Sequence, residues 1–270
     1  MAVPGDLHAT VVLVRHGEST YIAQGRFQGR QDAPLSALGE RQALLVAARL
    51  ALRDADMPLP IPAGAPMGIW HSPLSRAADT ARAIADAQPA HVPMHPAPGL
   101  IEIAQGDWEG QPQAVVTERW AAELAAWRRT PATHHAPGGE PLSVAARRVA
   151  ATLAEVSSAL GAAQSGDSGD ILSRSPVPGY SAGSAVGQPQ DPWAVLVAHD
   201  GIFRLTLLAL LDLPLERFWS FPFNLCAITV VAVHHGVGAL RAHNLSGHLA
   251  PLADEARAAA EARGDRRGAL

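Results

Sequence analysis

Lysine is absent from this 270-residue chain, so all 21 basic residues are arginine. Without lysine the protein cannot form a Schiff base, use a lysine general base, or hold a nucleotide phosphate with a P-loop lysine. The 25 acidic residues leave a net charge of −4, which predicts no broad basic surface for nucleic acid. We therefore expect no nucleic-acid partner, and any chemistry on an anion must depend on arginine and histidine.

Cysteine is almost absent as well. Cys226 is the only one, so no intramolecular disulfide can form, which is typical of a cytoplasmic protein. No basic segment followed by an apolar run marks the N-terminus, so we expect no signal peptide. The longest apolar stretch, around Leu205 to Leu213, is too short to span a bilayer. These features predict a cytoplasmic protein without a membrane partner.

Spacings typical of metal ligands are also lacking. His91 and His95 are four residues apart, but the prolines around them do not allow a helix to present both on one face. The pairs His134-His135 and His234-His235 are adjacent, so their side chains do not converge. We expect neither a metal nor another cofactor.

What the chain does contain is a charged motif directly after an apolar strand. Val11 to Val14 are typical of a short buried strand, and Arg15, His16 and Gly17 follow at once. Arginine offers a donor fork suited to phosphate, and neutral histidine can act as a nucleophile. Gly17 permits backbone conformations closed to other residues, so the chain could turn tightly around an anion. The alternative is that His16 is a half-buried histidine that only packs at the strand end.

Strands and helices alternate along the chain, which predicts an α/β fold with a largely parallel sheet and helices on both faces. We expect one domain over residues 1–270, with a Gly/Ser/Pro-rich insertion at about 161–192 and a polar tail from about 253. Strands are predicted at 11–14, 67–70, 91–95, 194–198, 227–233 and 239–243. Helices are predicted at about 37–53, 73–87 (with Pro73 near its first position), 112–129, 140–160 and 202–211.

Three predicted strands end in candidate chemistry. Arg15 and His16 follow the first strand, Ser72 with nearby Arg76 follows the second, and His199 follows the fourth. Ligands of parallel sheets bind beyond the carboxyl ends of the strands. We therefore expect these side chains to meet at one edge of the sheet.

Together they suit a phosphate monoester, which carries about two negative charges. Arg15 and Arg76 could grip its oxygens, and His16 could attack phosphorus to form phosphohistidine. His199 could stabilise charge on the equatorial oxygens. Glu102 is the candidate acid that protonates the leaving oxygen and later activates water.

At this point the chain resembles the phosphoglycerate mutase-like branch of the histidine phosphatase superfamily. The resemblance runs from about Val11 to Asn244, apart from the insertion. Its motifs are Leu13-Val14-Arg15-His16-Gly17-Glu18-Ser19, Gln28-Gly29, Asp32 with Pro34-Leu35-Ser36 to Gln42-Ala43, Ser72 to Ala81, Glu102 to Gly110, Pro137 to Glu140, and Val197 to Arg204.

The resemblance implies a three-layer α/β/α sandwich with a mostly parallel central sheet and a helical covering subdomain. It implies that His16 is phosphorylated and that Glu102 is the proton donor. Four further residues would form the phosphate pocket or lie near it: Arg15, Arg76, Gln28 and Gly29. His199 completes that pocket.

Two positions depart from the family pattern. Tyr21-Ile22 replace a Trp-Asn pair whose asparagine helps bind phosphate in mutase-type members. Asp200 stands where glycine is more usual, and its carboxylate would repel the phosphate unless it points away. We count Asp200 among the substrate-contacting positions.

The leading interpretation is a metal-independent phosphomonoesterase acting on a small phosphorylated metabolite. The alternatives are a phosphoglycerate mutase and a non-catalytic phosphate-binding member of the fold. A mutase needs cations for a second substrate anion, yet the only nearby pair, Arg128-Arg129, is typical of a solvated helix end. A homodimer is one possible assembly, although no residue in the sequence argues for it.

Overall fold

The computed structural model describes residues 6–52, 57–166 and 191–262. Within them, six strands form one sheet in the order β3-β2-β4-β1-β5-β6. The strands are β1 (His8–Arg15), β2 (Ile69–His71), β3 (Met94–Pro96), β4 (Trp193–Ala198), β5 (Ile228–His234) and β6 (Val237–Leu245). The helices are α1 (Thr20–Ala23), α2 (Ala37–Ala51), α3 (Ser75–Asp86), α4 (Gln113–Arg119), α5 (Ala121–Arg129), α6 (Leu142–Gly166), α7 (Asp200–Leu210) and α8 (Ala250–Ala262).

The sheet is mostly parallel, as the sequence predicts. β3, β2, β4 and β1 run in the same direction, whereas β5 is antiparallel to β1 and to β6. The two-residue turn between β5 and β6 has positive φ at both His235 (52°) and Gly236 (74°). Such a turn matches the twist of an antiparallel pair, so the closing strands form a hairpin without a crossover helix.

Successive side chains of β1 face opposite sides of the sheet and belong to two separate cores. Val11 and Leu13 pack in the core that includes α6 and α7, and Val12 and Val14 in the core that includes α2 and α3. All four are buried because helices cover both faces. This is the expected three-layer α/β/α sandwich.

Several element boundaries differ from the prediction. The helix expected over 112–129 is two helices, because the backbone of Trp120 leaves the helical region (φ −124°, ψ 39°). α6 continues to Gly166, so the first residues of the expected insertion are helical, and residues 167–190 lie outside the described residues. The expected tail from 253 is the exposed helix α8 as far as it is described.

Helix α3 starts two residues later than expected. Pro73 was predicted near its first position, but the helix begins at Ser75 with Leu74 as its extended N-cap. The reason is a cap from a distant loop: Asp32 Oδ1 accepts hydrogen bonds from both the backbone N–H and the hydroxyl of Ser75, each at 2.8 Å. In the described part of the chain, no helix is long and apolar enough to cross a membrane.

Candidate active site

The ends of β1, β2 and β4 bring the predicted residues together. β1 and β4 pair in register, and the His16 N–H donates to the carbonyl of Ala198 at 2.9 Å. Ser72 follows β2, and its N–H donates to the carbonyl of Val197 at 3.0 Å. As a result, the ring centroids of His16 and His199 are 4.9 Å apart. The convergence expected from parallel strands is therefore present.

His16 is buried and held in one tautomer. Its Nδ1 lies 2.6 Å from the carbonyl oxygen of Gly17, which can only accept, so Nδ1 carries the hydrogen. Nε2 therefore keeps its lone pair, and no described residue forms a hydrogen bond with it. Burial, together with the charges of Arg76 and Arg15, holds the pKa of His16 well below its usual value. His16 is consequently a neutral imidazole, the form that can attack phosphorus.

Gly17 serves a purpose different from the one expected. Its backbone is not in the left-handed region; instead, a Cβ at Gly17 would lie 2.5 Å from the carbonyl oxygen of Gly39. The requirement is close approach of the histidine loop to the start of α2, not an unusual turn. The Gly17 N–H donates to Thr80 Oγ1 at 3.2 Å, and that hydroxyl donates to the carbonyl of Arg76 at 2.7 Å.

His199 is fully buried beside His16. Its Nε2 is 2.8 Å from the hydroxyl oxygen of Ser72, and that oxygen also accepts from the Leu74 N–H at 3.3 Å. Its Nδ1 is buried with no hydrogen-bond partner among the described residues. Burial and then the charge of Arg76 hold the pKa of His199 well below its usual value.

Two guanidinium groups lie against this histidine pair. Arg76 is fully buried and donates to the carbonyl groups of Gln31 (3.1 Å) and Gly29 (2.9 Å). Burial lowers its pKa to about 10, so it remains charged near neutral pH. Arg15 donates to the carbonyl of Phe223, and the Nε atoms of both arginines are buried without a partner in the described structure. A buried and a partly buried cation, each bonded only to neutral carbonyls, favour a bound anion.

Glu102 lies next to the start of α7. Its Oε1 accepts from the Ile103 N–H at 2.9 Å and would be 2.9 Å from a Cβ at Gly201. Burial raises the pKa of Glu102, and the backbone hydrogen bond lowers it less; the charge of Asp200 raises it further. The carboxyl group is therefore suited to hold a proton at a pH where an ordinary glutamate has lost it.

Arg148 of α6 fixes the loop that carries Glu102, and the sequence did not single it out. It donates to the carbonyl of Glu102 at 3.2 Å and to both carboxylate oxygens of Glu140, at 3.1 and 2.8 Å. Arg30 also bonds the carbonyl of Glu102 (3.2 Å) and Glu140 (2.9 Å). Arg148 makes further bonds to two carbonyls of the same loop, those of Gly99 and Ile101.

The remaining predicted positions divide into two groups. Gln28 lines the cavity above His16 and donates to Ser19 Oγ at 2.9 Å, and Ile22 also lines the cavity. Gly29 is not among the lining residues; its carbonyl instead supports Arg76. The expectation that Gly29 lies near the bound phosphate therefore stays a prediction. In this structure Gly29 is connected to the site only through its hydrogen bond with Arg76.

Asp200 lines the cavity, and its charge is partly neutralised. Its Oδ2 forms an ion pair with Arg204 Nε at 3.0 Å, one helical turn later in α7. The repulsion of phosphate that the sequence predicts for an unpaired carboxylate is therefore reduced.

The cavity has a volume of about 450 Å³. Arg128 and Arg129 are exposed at the end of α5 and do not line it, as expected of a solvated helix end. Among the described residues, no group of three or more His, Cys, Asp or Glu could hold a metal ion. Beyond the residues already placed, the lining includes Gly25, Arg26, Phe27, Ile103, Gln105, Gln113, Trp127, Phe218 and Trp219.

Comparison with known proteins agrees with this geometry. The model of the histidine phosphatase superfamily (branch 1) matches residues 11–164 and 184–246. The chain belongs to this superfamily. Among its relatives in the histidine phosphatase superfamily, phosphoserine phosphatase 1 of Hydrogenobacter thermophilus is 28% identical over 246 residues, covering 91% of this chain and 97% of the relative.

Two further similar proteins carry the same name, glucosyl-3-phosphoglycerate phosphatase. Glucosyl-3-phosphoglycerate phosphatase of Mycolicibacterium vanbaalenii is 32% identical over 211 residues, covering 77% of this chain and 76% of the relative. The solved structure of a mycobacterial glucosyl-3-phosphoglycerate phosphatase in complex with VO3 is 28% identical and covers 88% of this chain and 100% of that one. The TM-score between the two structures is 0.65, so the chain shares the fold of that phosphatase over most of its length.

Proposed function

We propose that the chain is a metal-independent phosphomonoesterase that hydrolyses a small phosphorylated metabolite through a phosphohistidine at His16. One observation carries the proposal: a neutral His16 presents an Nε2 lone pair beside His199, the buried Arg76 and the partly buried Arg15. Two relatives that cover most of the chain are named as phosphatases, which supports the same reaction class.

In the first step, Nε2 of His16 attacks phosphorus in line with the ester oxygen. The P–N bond forms while the bond from phosphorus to the ester oxygen breaks. Glu102 gives its proton to that oxygen, so the alcohol leaves neutral and Glu102 becomes a carboxylate. Arg15, Arg76 and His199 bind the equatorial oxygens, where charge accumulates.

In the second step, water attacks phosphorus from the side that the alcohol has left. The carboxylate of Glu102 takes a proton from this water, the P–N bond breaks, and its electron pair returns to Nε2 of His16. Inorganic phosphate leaves, and both residues regain their starting protonation states. Every step uses groups that the chain itself supplies.

The displaced pKa values fit this assignment. The reaction requires His16 without its second proton and Glu102 with its proton. Burial lowers the pKa of His16 and raises the pKa of Glu102, so both required forms coexist in a larger fraction of molecules than they would for an ordinary histidine and glutamate. Activity is expected to fall at low pH as His16 is protonated, and at high pH as Glu102 loses its proton.

The cavity favours a phosphatase over a mutase. A mutase must hold the carboxylate and the second phosphate of its substrate, which calls for further cations. Among the described residues that line the cavity, the only guanidinium besides that of Arg15 belongs to Arg26, which already donates to Gln24 and to the carbonyl of Gly110. A second anion would have little to bind.

The test is phosphate release from p-nitrophenyl phosphate in the presence of a chelator. We expect turnover by the wild type, loss of turnover in His16→Ala, and wild-type activity in His91→Ala, which removes an exposed histidine. Isomerisation of 3-phosphoglycerate should be undetectable. Full activity of His16→Ala would refute the mechanism, and isomerisation faster than hydrolysis would favour a mutase. Phosphate binding without release would favour the non-catalytic alternative.

A further inference from the structure

Trp219 is an exposed aromatic residue on the wall of the catalytic cavity. Its side chain is 41% exposed, although tryptophan is usually well buried. It makes edge-to-face contacts with Trp127 and Phe218, with ring centroids 5.5 and 4.7 Å apart. Both neighbours also line the cavity. Trp219 is the exposed ring of this aromatic wall, backed by two buried rings, and such a ring on a cavity wall is a surface for packing another ring.

An ion pair ties this wall to the phosphate site. The guanidinium carbon of Arg204 lies 5.1 Å from the ring centroid of Trp219, within range of a cation–π interaction. Arg204 is nearly buried and forms its ion pair with Asp200, the residue directly after His199. Through Asp200 and Arg204, the position of Trp219 is therefore fixed relative to His199. Asp200, which stands where glycine is more usual in the family, therefore holds Arg204 against Trp219.

The polar groups of the outer cavity are mostly uncharged. Gln28, Gln105 and Gln113 contribute amides that can bond hydroxyl or ring-nitrogen groups. Arg26 is the one cation there among the described residues, and it is bonded to neighbouring backbone and side-chain oxygens. The volume of about 450 Å³ is sufficient for a phosphate together with a ring.

We propose that the substrate is a phosphate monoester of an uncharged, ring-bearing alcohol whose ring packs against Trp219. Asp200 and Arg204 are positioning residues that hold this indole at a set distance from the phosphate site. The proposal rests on the proposed phosphatase function and adds the class of the leaving alcohol. It disfavours short carboxylated alcohols such as glycerate or serine.

The experiment compares esters whose leaving alcohols have similar basicity but differ in the ring. The pairs are benzyl phosphate with propyl phosphate, and a nucleoside 5′-monophosphate with glycerol 3-phosphate. We expect the wild type to prefer the ring-bearing member about tenfold in kcat/KM, mainly through KM. Trp219→Ala should bring this ratio to about one, and Trp219→Phe should restore most of it.

Two further variants test whether Trp219 contacts the substrate ring or only stabilises the fold by packing. Asp200→Asn should raise KM for benzyl phosphate more than for propyl phosphate, because the ion pair that holds Arg204 loses its negative charge. Trp120→Ala removes a partly buried tryptophan that does not line the cavity, and it should keep the wild-type ratio. If Trp219→Ala does not fold, Trp219→Leu replaces it, because leucine keeps apolar volume but has no ring face. The ratio of kcat/KM for this variant should also be about one.

The proposal is overturned if the wild type shows no preference for the ring-bearing esters. It is also overturned if Trp219→Ala lowers kcat/KM for both members of a pair equally. Failure of the phosphatase function gives a different result, namely no His16-dependent release of phosphate from any ester.

Discussion

Replacing Glu102 by glutamine isolates proton transfer from the other contributions to catalysis. The glutamine side chain has the same length, and its amide oxygen can still accept the hydrogen bond from the Ile103 N–H, now 2.9 Å from Oε1. Only the transferable proton is lost. A positioned general acid contributes about 10²–10⁴ in rate, equivalent to roughly 3–5 kcal/mol of the barrier.

The loss should depend on the leaving group. An alkoxide is a strong base, so for benzyl phosphate we expect kcat of Glu102→Gln to fall by about 10²–10⁴. p-Nitrophenolate is stable without a proton, so formation of the phosphohistidine from its ester should slow by less than about tenfold. The assay is single-turnover release of each alcohol by the wild type and by the variant.

The pH profile gives an independent readout. Burial raises the pKa of Glu102, so its acid form persists above the usual carboxyl range and is lost as pH rises through the raised value. For benzyl phosphate, the wild type should lose activity on this alkaline side, and Glu102→Gln should not show that limb. Equal losses for the two esters, or an unchanged alkaline limb, would refute the assignment of Glu102.

Two further variants test the supporting structure. Arg148→Met should lower kcat for benzyl phosphate by at least about tenfold and affect p-nitrophenyl phosphate less, and Arg148→Lys should restore part of the activity. Arg147→Met, at the exposed neighbouring position, is the control. An equal loss for both esters in Arg148→Met would mean that Arg148 has a structural role only. Gly39→Ala should destabilise the protein by about 2 kcal/mol or more, because the new Cβ would lie 2.0 Å from the carbonyl oxygen of Glu18. Thermal unfolding measures this, with Gly161→Ala in α6 as the control: its Cβ would meet nothing closer than 3.9 Å, so an equal loss in both variants would contradict the argument.

The sequence predicts the phosphate site because its residues follow buried strands. The apolar runs before His16 and His199 locate two strand ends, and parallel pairing then places them side by side. The fold class follows from the alternation of strands and helices. Helix starts are less predictable where a distant group acts, as when Asp32 caps Ser75 across 43 residues of sequence.

Residues that act through tertiary contacts could not be predicted in this way. Arg148 and Arg147 are adjacent arginines in one helix, and only the fold shows which of them faces the Glu102 loop. The role of Trp219 likewise depends on Arg204 packing against its ring after Asp200 has fixed the guanidinium. In the sequence, nothing in the residue type or spacing of Arg148 and Trp219 distinguishes them from their neighbours.

The central claim is tested most directly by locating the transferred phosphoryl group. Wild type and Glu102→Gln are mixed with p-nitrophenyl phosphate, quenched rapidly in alkaline denaturant, and digested for mass spectrometry. We predict one phosphoryl group on His16, accumulating further in Glu102→Gln, where water is not activated, and absent from His16→Ala. Phosphate release without any phosphorylated histidine, or a phosphoryl group on a different residue, would contradict the account.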